Sequence, residues 1–249
     1  MKRKGQITFY IIIGVLLVIM FGLFLVMQNR EETVGVQPEI FESVGSYVDL
    51  CFEQAIEEQT LLLGYSGGYL EPENYIKSDF GVITLYDEGI SDDKFVSDLK
   101  TAVLKDFDKC INSFESLTGQ GFVFEEFPKT LEIKMGDKLS FDLNYPFKVR
   151  KDESIKAFSE FEYELDVNAK ETIEVVSKLY ERVKLEPKFV PLKFMLDIQD
   201  NYSVVVDAFY AEGYVVYVVE HFTSEIMDTK FFMLFAVQAE IIEGGVDEN

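Results

Sequence analysis

Histidine occurs once in this sequence, at His221, and cysteine twice, at Cys51 and Cys110. So few nitrogen and sulfur donors leave none of the usual zinc ligand sets. Any imidazole base would have to be His221. There is no G-x-x-x-x-G-K-[ST] and no G-x-G-x-x-G behind a strand, so no nucleotide phosphate site is signalled. Basic residues are also scarce: 23 Lys and Arg stand against 45 Asp and Glu, a net charge of −22. That charge repels phosphates and anionic headgroups, which excludes nucleic acid as an expected partner. No cofactor is expected. No metal is assigned: Asp87-Glu88, Asp92-Asp93 and Asp197 with Asp200 offer oxygen ligands for calcium, but none has EF-hand spacing.

Charge is missing altogether from residues 8–27, a run rich in Ile, Leu, Val and Phe. Such a run, at about 1.5 Å per residue, spans roughly 30 Å, the thickness of a bilayer core. Lys2, Arg3 and Lys4 precede it, and Glu31 and Glu32 follow it. The positive-inside bias then puts the N-terminus in the cytoplasm and the rest outside the cell. Met27-Gln28-Asn29 is not a small-residue site, so cleavage behind the run is not expected. The expected organisation is a basic leader and transmembrane helix (1–27), a polar stalk (28–37), an extracytoplasmic domain (38–243) and a mobile tail (244–249).

The domain has 23 Phe among its apolar residues, enough for a core. Phe41, Val44, Val48, Cys51, Phe52, Ala55 and Ile56 keep helical spacing from Pro38, and Gly64 reads as the stop. A second helix starts near Ser91-Asp92-Asp93, whose oxygens cap it, and carries Phe95, Leu99, Ala102, Val103, Phe107 and Cys110 on one side. Both cysteines therefore sit on apolar helical faces. An even pair outside the cell reads as a disulfide candidate, with two unlinked buried thiols as the alternative. From Gly121 the period changes to two. Leu131, Ile133 and Met135, then Leu139, Phe141 and Leu143, then Phe161, Tyr163 and Leu165 alternate with polar residues as half-buried strands. Pro146 implies a bulge or strand end. Residues 168–184 read as a third helix with Asn168 and Glu171 in a capping box. Leu192, Phe194, Leu196 and Ile198 read as a strand, and the runs VVYVV and FFMLFAV as central strands. The fold class expected is α+β: an N-terminal transmembrane helix, then amphipathic helices (38–118) packed on one face of a mainly antiparallel sheet (121–243).

Lys2-Arg3-Lys4-Gly5-Gln6 followed by a long apolar helix resembles the leader of archaeal type IV pilin-like proteins. The resemblance implies cleavage between Gly5 and Gln6, before the apolar helix, which would stay with the mature chain and build a filament core. It covers about the first 25 residues; where the family often has a glutamate, five residues into the mature chain, Tyr10 stands. Cys51, Leu63-Gly64, Gly67-Gly68-Tyr69 and Cys110 are loosely similar to membrane-anchored surface proteins of small-genome archaea, a resemblance that implies no activity.

Among chemical motifs, Gly64-Tyr65-Ser66-Gly67-Gly68 matches G-x-S-x-G. A nucleophile elbow needs a strand before its serine. A helix precedes Ser66, so a Ser66–His221 hydrolase is not the expectation. Tyr65 and Tyr69 flank Gly67 and Gly68 and form a candidate partner loop. Asn201-Tyr202-Ser203 is a glycosylation sequon at Asn201. The function expected is a non-catalytic, membrane-anchored surface protein, structural or adhesive, held by residues 8–27 and able to self-assemble. The alternative is an uncleaved bitopic binding subunit with an envelope protein partner.

Overall fold

The computed structural model of the chain describes residues 38–78, 81–187, 189–211 and 213–238. The leader site at Gly5 and Gln6, the apolar run 8–27, the stalk 28–37 and the tail 244–249 lie outside these residues. The chain divides into two compact units, Met1–Phe41 and Glu42–Asn249; the fold described below is that of the second.

Helix α1 (Pro38–Tyr65) buries the expected stripe, from Val44 and Val48 through Cys51, Phe52, Ala55 and Ile56 to Leu63. It does not stop at Gly64. The amide of Gly68 donates to Leu63 O at 2.7 Å and that of Gly67 to Gly64 O at 3.0 Å, with both glycines at positive φ. This pair of bonds is a Schellman ending, in which Gly67 and Gly68 take the left-handed conformations that end the helix. Gly64 has another task, close contact with a strand.

Strands β1 (Tyr75–Ser78) and β2 (Gly81–Leu85) form a hairpin that precedes helix α2 (Asp92–Ile111). Ser91 caps α2 by accepting from the Lys94 amide at 3.3 Å, and Asp92 and Asp93 fill its first turn. Cys51 of α1 and Cys110 of α2 form a disulfide, their Cα atoms 5.6 Å apart. After a short helix, α3 (Glu115–Thr118), the chain enters a four-stranded antiparallel sheet. Its long strand β5 (Leu139–Lys151) pairs with β6 (Ser154–Leu165) on one side, and with β3 (Val123–Glu126) and β4 (Thr130–Met135) on the other. The β5–β6 register shifts between Asn144 and Phe147, around Pro146. The inner face of β5 buries Phe141, Leu143, Tyr145 and Phe147. The two disulfide-linked helices meet that face through Phe107, whose ring lies 5.7 Å from Tyr145 and 5.9 Å from Phe52.

Helix α4 (Ala169–Leu185) follows, then α5 (Leu192–Asn201) and strands β7 (Val204–Ala211), β8 (Tyr214–Ile226) and β9 (Thr229–Gln238). The capping box of α4 is present: Asn168 Oδ1 accepts from the Glu171 amide and Asn168 Nδ2 donates to Glu171 Oε2, both at 3.0 Å. The second sheet has the order β1-β2-β9-β8-β7, antiparallel except for the parallel pair β2–β9. VVYVV and FFMLFAV are central strands, as their unbroken apolar character required.

Several expectations need correction. The sheet is not single: a mixed five-stranded sheet and an antiparallel four-stranded one share the helices. Residues 192–198 are helical rather than extended. With Leu, Phe, Met, Leu and Ile in a row, both periods fit; Pro191 at the N-cap and burial at Met195 and Ile198 belong to the helix. Most important, no helix among the described residues is long and apolar enough to cross a membrane. The architecture of an N-terminal transmembrane helix carrying an extracytoplasmic domain is replaced by helices packed on two sheets.

Candidate functional site

The loop that ends α1 is held inward. Gly67 and Gly68 are buried against β2 and β9, and the Tyr86 hydroxyl donates to Gly67 O at 2.5 Å. Ser66 Oγ lies 2.6 Å from Tyr69 O and 3.1 Å from Leu62 O, and Ser66 O accepts from the Thr84 hydroxyl. Tyr65 sets its ring edge-on to Phe232 at 4.6 Å. Of the residues in the candidate partner loop, Tyr69 is the one that lines a cavity.

That cavity is an open cleft of about 420 Å³ beside the β1–β2 hairpin, between the loop after α1 and the start of α2. Four carboxylates border it: Glu71, Glu73, Asp87 and Glu88. One lysine, Lys94, lines it as well. The Lys94 ammonium lies 5.3 Å from the centre of the Tyr69 ring and is held by Asp98 at 2.6 Å. The floor is rigid. Tyr86 is fully packed, stacked on Phe235 at 4.8 Å and edge-on to Tyr69 at 5.9 Å. The hairpin end is pinned by the Leu85 amide on Asn74 O at 2.9 Å and by the Asn74 side chain on Asp87. The Leu70 amide donates to Asp98 Oδ2 at 2.9 Å. Burial, helped by the charges of Glu88, Asp98 and Tyr180, pushes the Tyr69 phenol above its ordinary range. Burial, with Tyr69, pushes Tyr86 well above it. Both phenols therefore stay protonated, and the cleft presents carboxylate acceptors around neutral aromatic rings.

His221 is elsewhere, near the end of β8. It is 2% exposed. Its Nδ1 lies 2.9 Å from Ser224 Oγ, and its Nε2 lies 3.4 Å from Glu171 Oε2. Ser224 Oγ also accepts from the Asn168 amide at 2.9 Å, and Glu171 Oε1 from the Ser203 amide at 2.8 Å. A serine, a histidine and a carboxylate are thus in line, but Ser224 is 1% exposed and its oxygen is taken by the helix cap. The arrangement cross-ties the start of α4 to β8 and to the α5–β7 turn. Ser66 and His221 are not hydrogen-bond partners of one another: each is held by its own set. Sequence reasoning missed Ser224 and Glu171 as the partners of His221; the signal was the His-x-x-Ser spacing in β8 together with the capping-box glutamate.

The remaining candidates are dispersed. Asp92 and Asp93 lie in the first turn of α2, and Asp197 and Asp200 are exposed on α5. Among the described residues, no three His, Cys, Asp or Glu side chains are grouped to hold a metal ion. Asn201 ends α5, exposed, its amide donating to Asp197 O at 2.6 Å.

In comparisons with known proteins, no family model, no curated protein and no solved structure matches the chain. The resemblance to archaeal pilin-like and membrane-anchored surface proteins is therefore not sustained. With no described helix fit to span a bilayer, the surface-anchored structural or adhesive reading falls, and so does the bitopic binding-subunit alternative. The single-pass topology and the partners assigned through it, membrane, envelope protein or self-assembly, fall with them.

Proposed function

We propose that the domain is a binding module whose site is the Tyr69 cleft and whose ligand presents an organic cation, an amine or a guanidinium. The observation that carries this reading is the convergence of Glu71, Glu73, Asp87 and Glu88 on one concave, tyrosine-walled cleft whose lysine is already occupied by Asp98. A cation entering it gains charge-assisted hydrogen bonds to carboxylates. It also gains an aromatic face. The protein's own Lys94 displays that chemistry, an ammonium set over Tyr69 with a carboxylate at hydrogen-bond distance. The overall charge of −22 draws cations towards the surface and raises encounter rates. Ring and carboxylates on a fixed hairpin convert that attraction into a site. Nothing in this function requires bond making; the cleft is read as recognition without catalysis.

The test uses spermidine as the probe, followed by calorimetry and by tyrosine fluorescence, which no tryptophan obscures. Saturable one-site binding is expected, weakened at least tenfold by Glu71→Gln with Glu88→Gln. Binding that never saturates, or that the double variant leaves unchanged, reduces the effect to diffuse attraction by an acidic chain and overturns the reading.

A further inference from the structure

At one end of the molecule the domain leaves an apolar patch uncovered. Leu185 at the end of α4, Phe189 in the turn, and Leu192 and Leu196 on α5 are 74%, 65%, 65% and 62% exposed. Leu192 and Leu196 lie one helical turn apart, while α5 spends Met195 and Ile198 on the sheet side. Large apolar side chains grouped on a surface mark a contact. The local charge is also inverted. Residues 182–196 carry Arg182, Lys184, Lys188 and Lys193 against Glu186 alone, in a chain of net charge −22.

The topology brings the end of β9 to this patch. Ala236 O accepts from the Tyr86 amide at 3.0 Å, and the next carbonyl, Asp87 O, accepts from the Tyr180 hydroxyl of α4. Leu185 is five residues beyond Tyr180, and Gln238 two beyond Ala236. The other end of α4, at Asn168, is tied to Ser224 at the far end of β8. Following Gln238, residues 239–249 read AEIIEGGVDEN. They hold Ile241, Ile242 and Val246 and four acids, Glu240, Glu243, Asp247 and Glu248, with no base. At most about 3.3–3.6 Å per extended residue, their length exceeds that of α5, about 15 Å.

We propose that the patch is the docking surface for the chain's own acidic segment 239–249, with isoleucines against Leu185, Phe189, Leu192 and Leu196 and carboxylates beside Lys184 and Lys193. The segment has the apolar content and the charge sign that the patch lacks, and it starts at the patch's end of the sheet. A second copy is disfavoured by the repulsion between two chains of −22. An anionic bilayer is disfavoured by Asp197 and Asp200, exposed on the same short helix.

The experiment is methyl NMR on the full chain. Ile241→Ser with Ile242→Ser is expected to shift the methyl signals of Leu185, Leu192 and Leu196 and to leave those of Leu131 and Leu143, in the four-stranded sheet, in place. Lys184→Glu with Lys193→Glu is expected to shift the same three, and adding Glu240→Lys with Glu243→Lys to bring them back. Signals that ignore the isoleucine substitutions overturn the proposal, as does failure of the charge swap to restore them. Wild-type positions that depend on protein concentration assign the patch to a second copy and overturn it. Phosphatidylglycerol vesicles that broaden Leu192 and Leu196 equally in wild type and in the isoleucine variant assign it to lipid and overturn it.

Discussion

Gly64 and the carbonyl of Phe232 are in direct backbone contact: a Cβ built on Gly64 would sit 2.3 Å from that oxygen. The last turn of α1 is thereby pressed onto β9, and only a residue without a side chain fits. Gly64→Ala should destabilise the domain by about 3 kcal/mol, since neither helix nor strand can yield cheaply. Gly119, with φ −60 and its nearest non-neighbouring atom at 3.7 Å, is the control. There alanine should be neutral or stabilise by about 0.5 kcal/mol. Urea unfolding of both variants checks the contrast.

The Cys51–Cys110 bridge closes a loop with a sequence separation of 59. The chain-entropy account assigns a loop of that size about 4 kcal/mol. Replacing both cysteines by alanine should lower the urea midpoint accordingly, and reductant should lower it in the wild type but not in the variant. The intact mass without reductant should be lighter than the reduced chain by two hydrogens. A midpoint indifferent to reductant would mean that the helices hold together without the bridge.

Ser224 and His221 act on one another and on the cap of α4, so their substitutions should not add. Ser224→Ala leaves the Asn168 amide and His221 Nδ1 short of a partner, at a cost of about 1–3 kcal/mol. His221→Ala should cost about as much, with a cavity besides. The double variant should be less destabilised than the sum by about 1 kcal/mol. Simple additivity in a double-mutant cycle would show the three groups to be independent.

Alkaline pH should weaken the fold through its buried phenols. Burial, with Tyr210 nearby, pushes Tyr217 from 10.0 up to about 12. Tyr145 is raised in the same direction by burial and by its bond to Glu126, and Tyr163 by burial and its bond to Glu57. A phenol that holds its proton more tightly when folded stabilises the native state in full below the unfolded pKa, and that contribution is lost as pH rises through the folded one. Stability should therefore fall from pH 10 towards 12, and Tyr217→Phe should make the fall shallower. Phenolate absorbance followed alongside unfolding gives the measurement; a stability flat across that window contradicts the assignment.

The helical stripes from Val44 to Ile56 and from Phe95 to Cys110 were legible because each has one period and one buried face. The period-two runs of β4, β5 and β6 were legible for the same reason. Two features hid the rest. Where apolar residues are consecutive, as at Leu192–Leu196, period carries no information, and the flanking proline and packing decide. Where strands are very short, as at Tyr75–Ser78 and Gly81–Leu85, alternation has no room to show. The cleft depends on the unforeseen parallel pairing of β2 with β9, which sets Tyr86 and Asp87 beside Tyr69. No local pattern announces a pairing between residues so distant in the chain. Gly67 and Gly68 were recognised as special, but the sequence shows only that the backbone turns there, not that it turns inward under Tyr86.

The parallel β2–β9 pair joins Thr84 to Phe235 and Leu85 to Ala236. Strand β9 also receives Gly64 and Gly67 of the α1 ending. During synthesis everything before Thr229 therefore waits: the hairpin β1–β2 has no neighbour on its inner side, β8 presents an open edge, and the glycine loop has nothing to rest on. The four-stranded sheet and the disulfide-linked helices can assemble early from contacts closer in sequence. The five-stranded half, and the cleft with it, closes only when the strand Thr229–Gln238 slots between β2 and β8. The last strand to be made is thus the step on which binding competence depends, and a nascent chain halted before Phe231 would present an unpaired apolar strand edge to the cell.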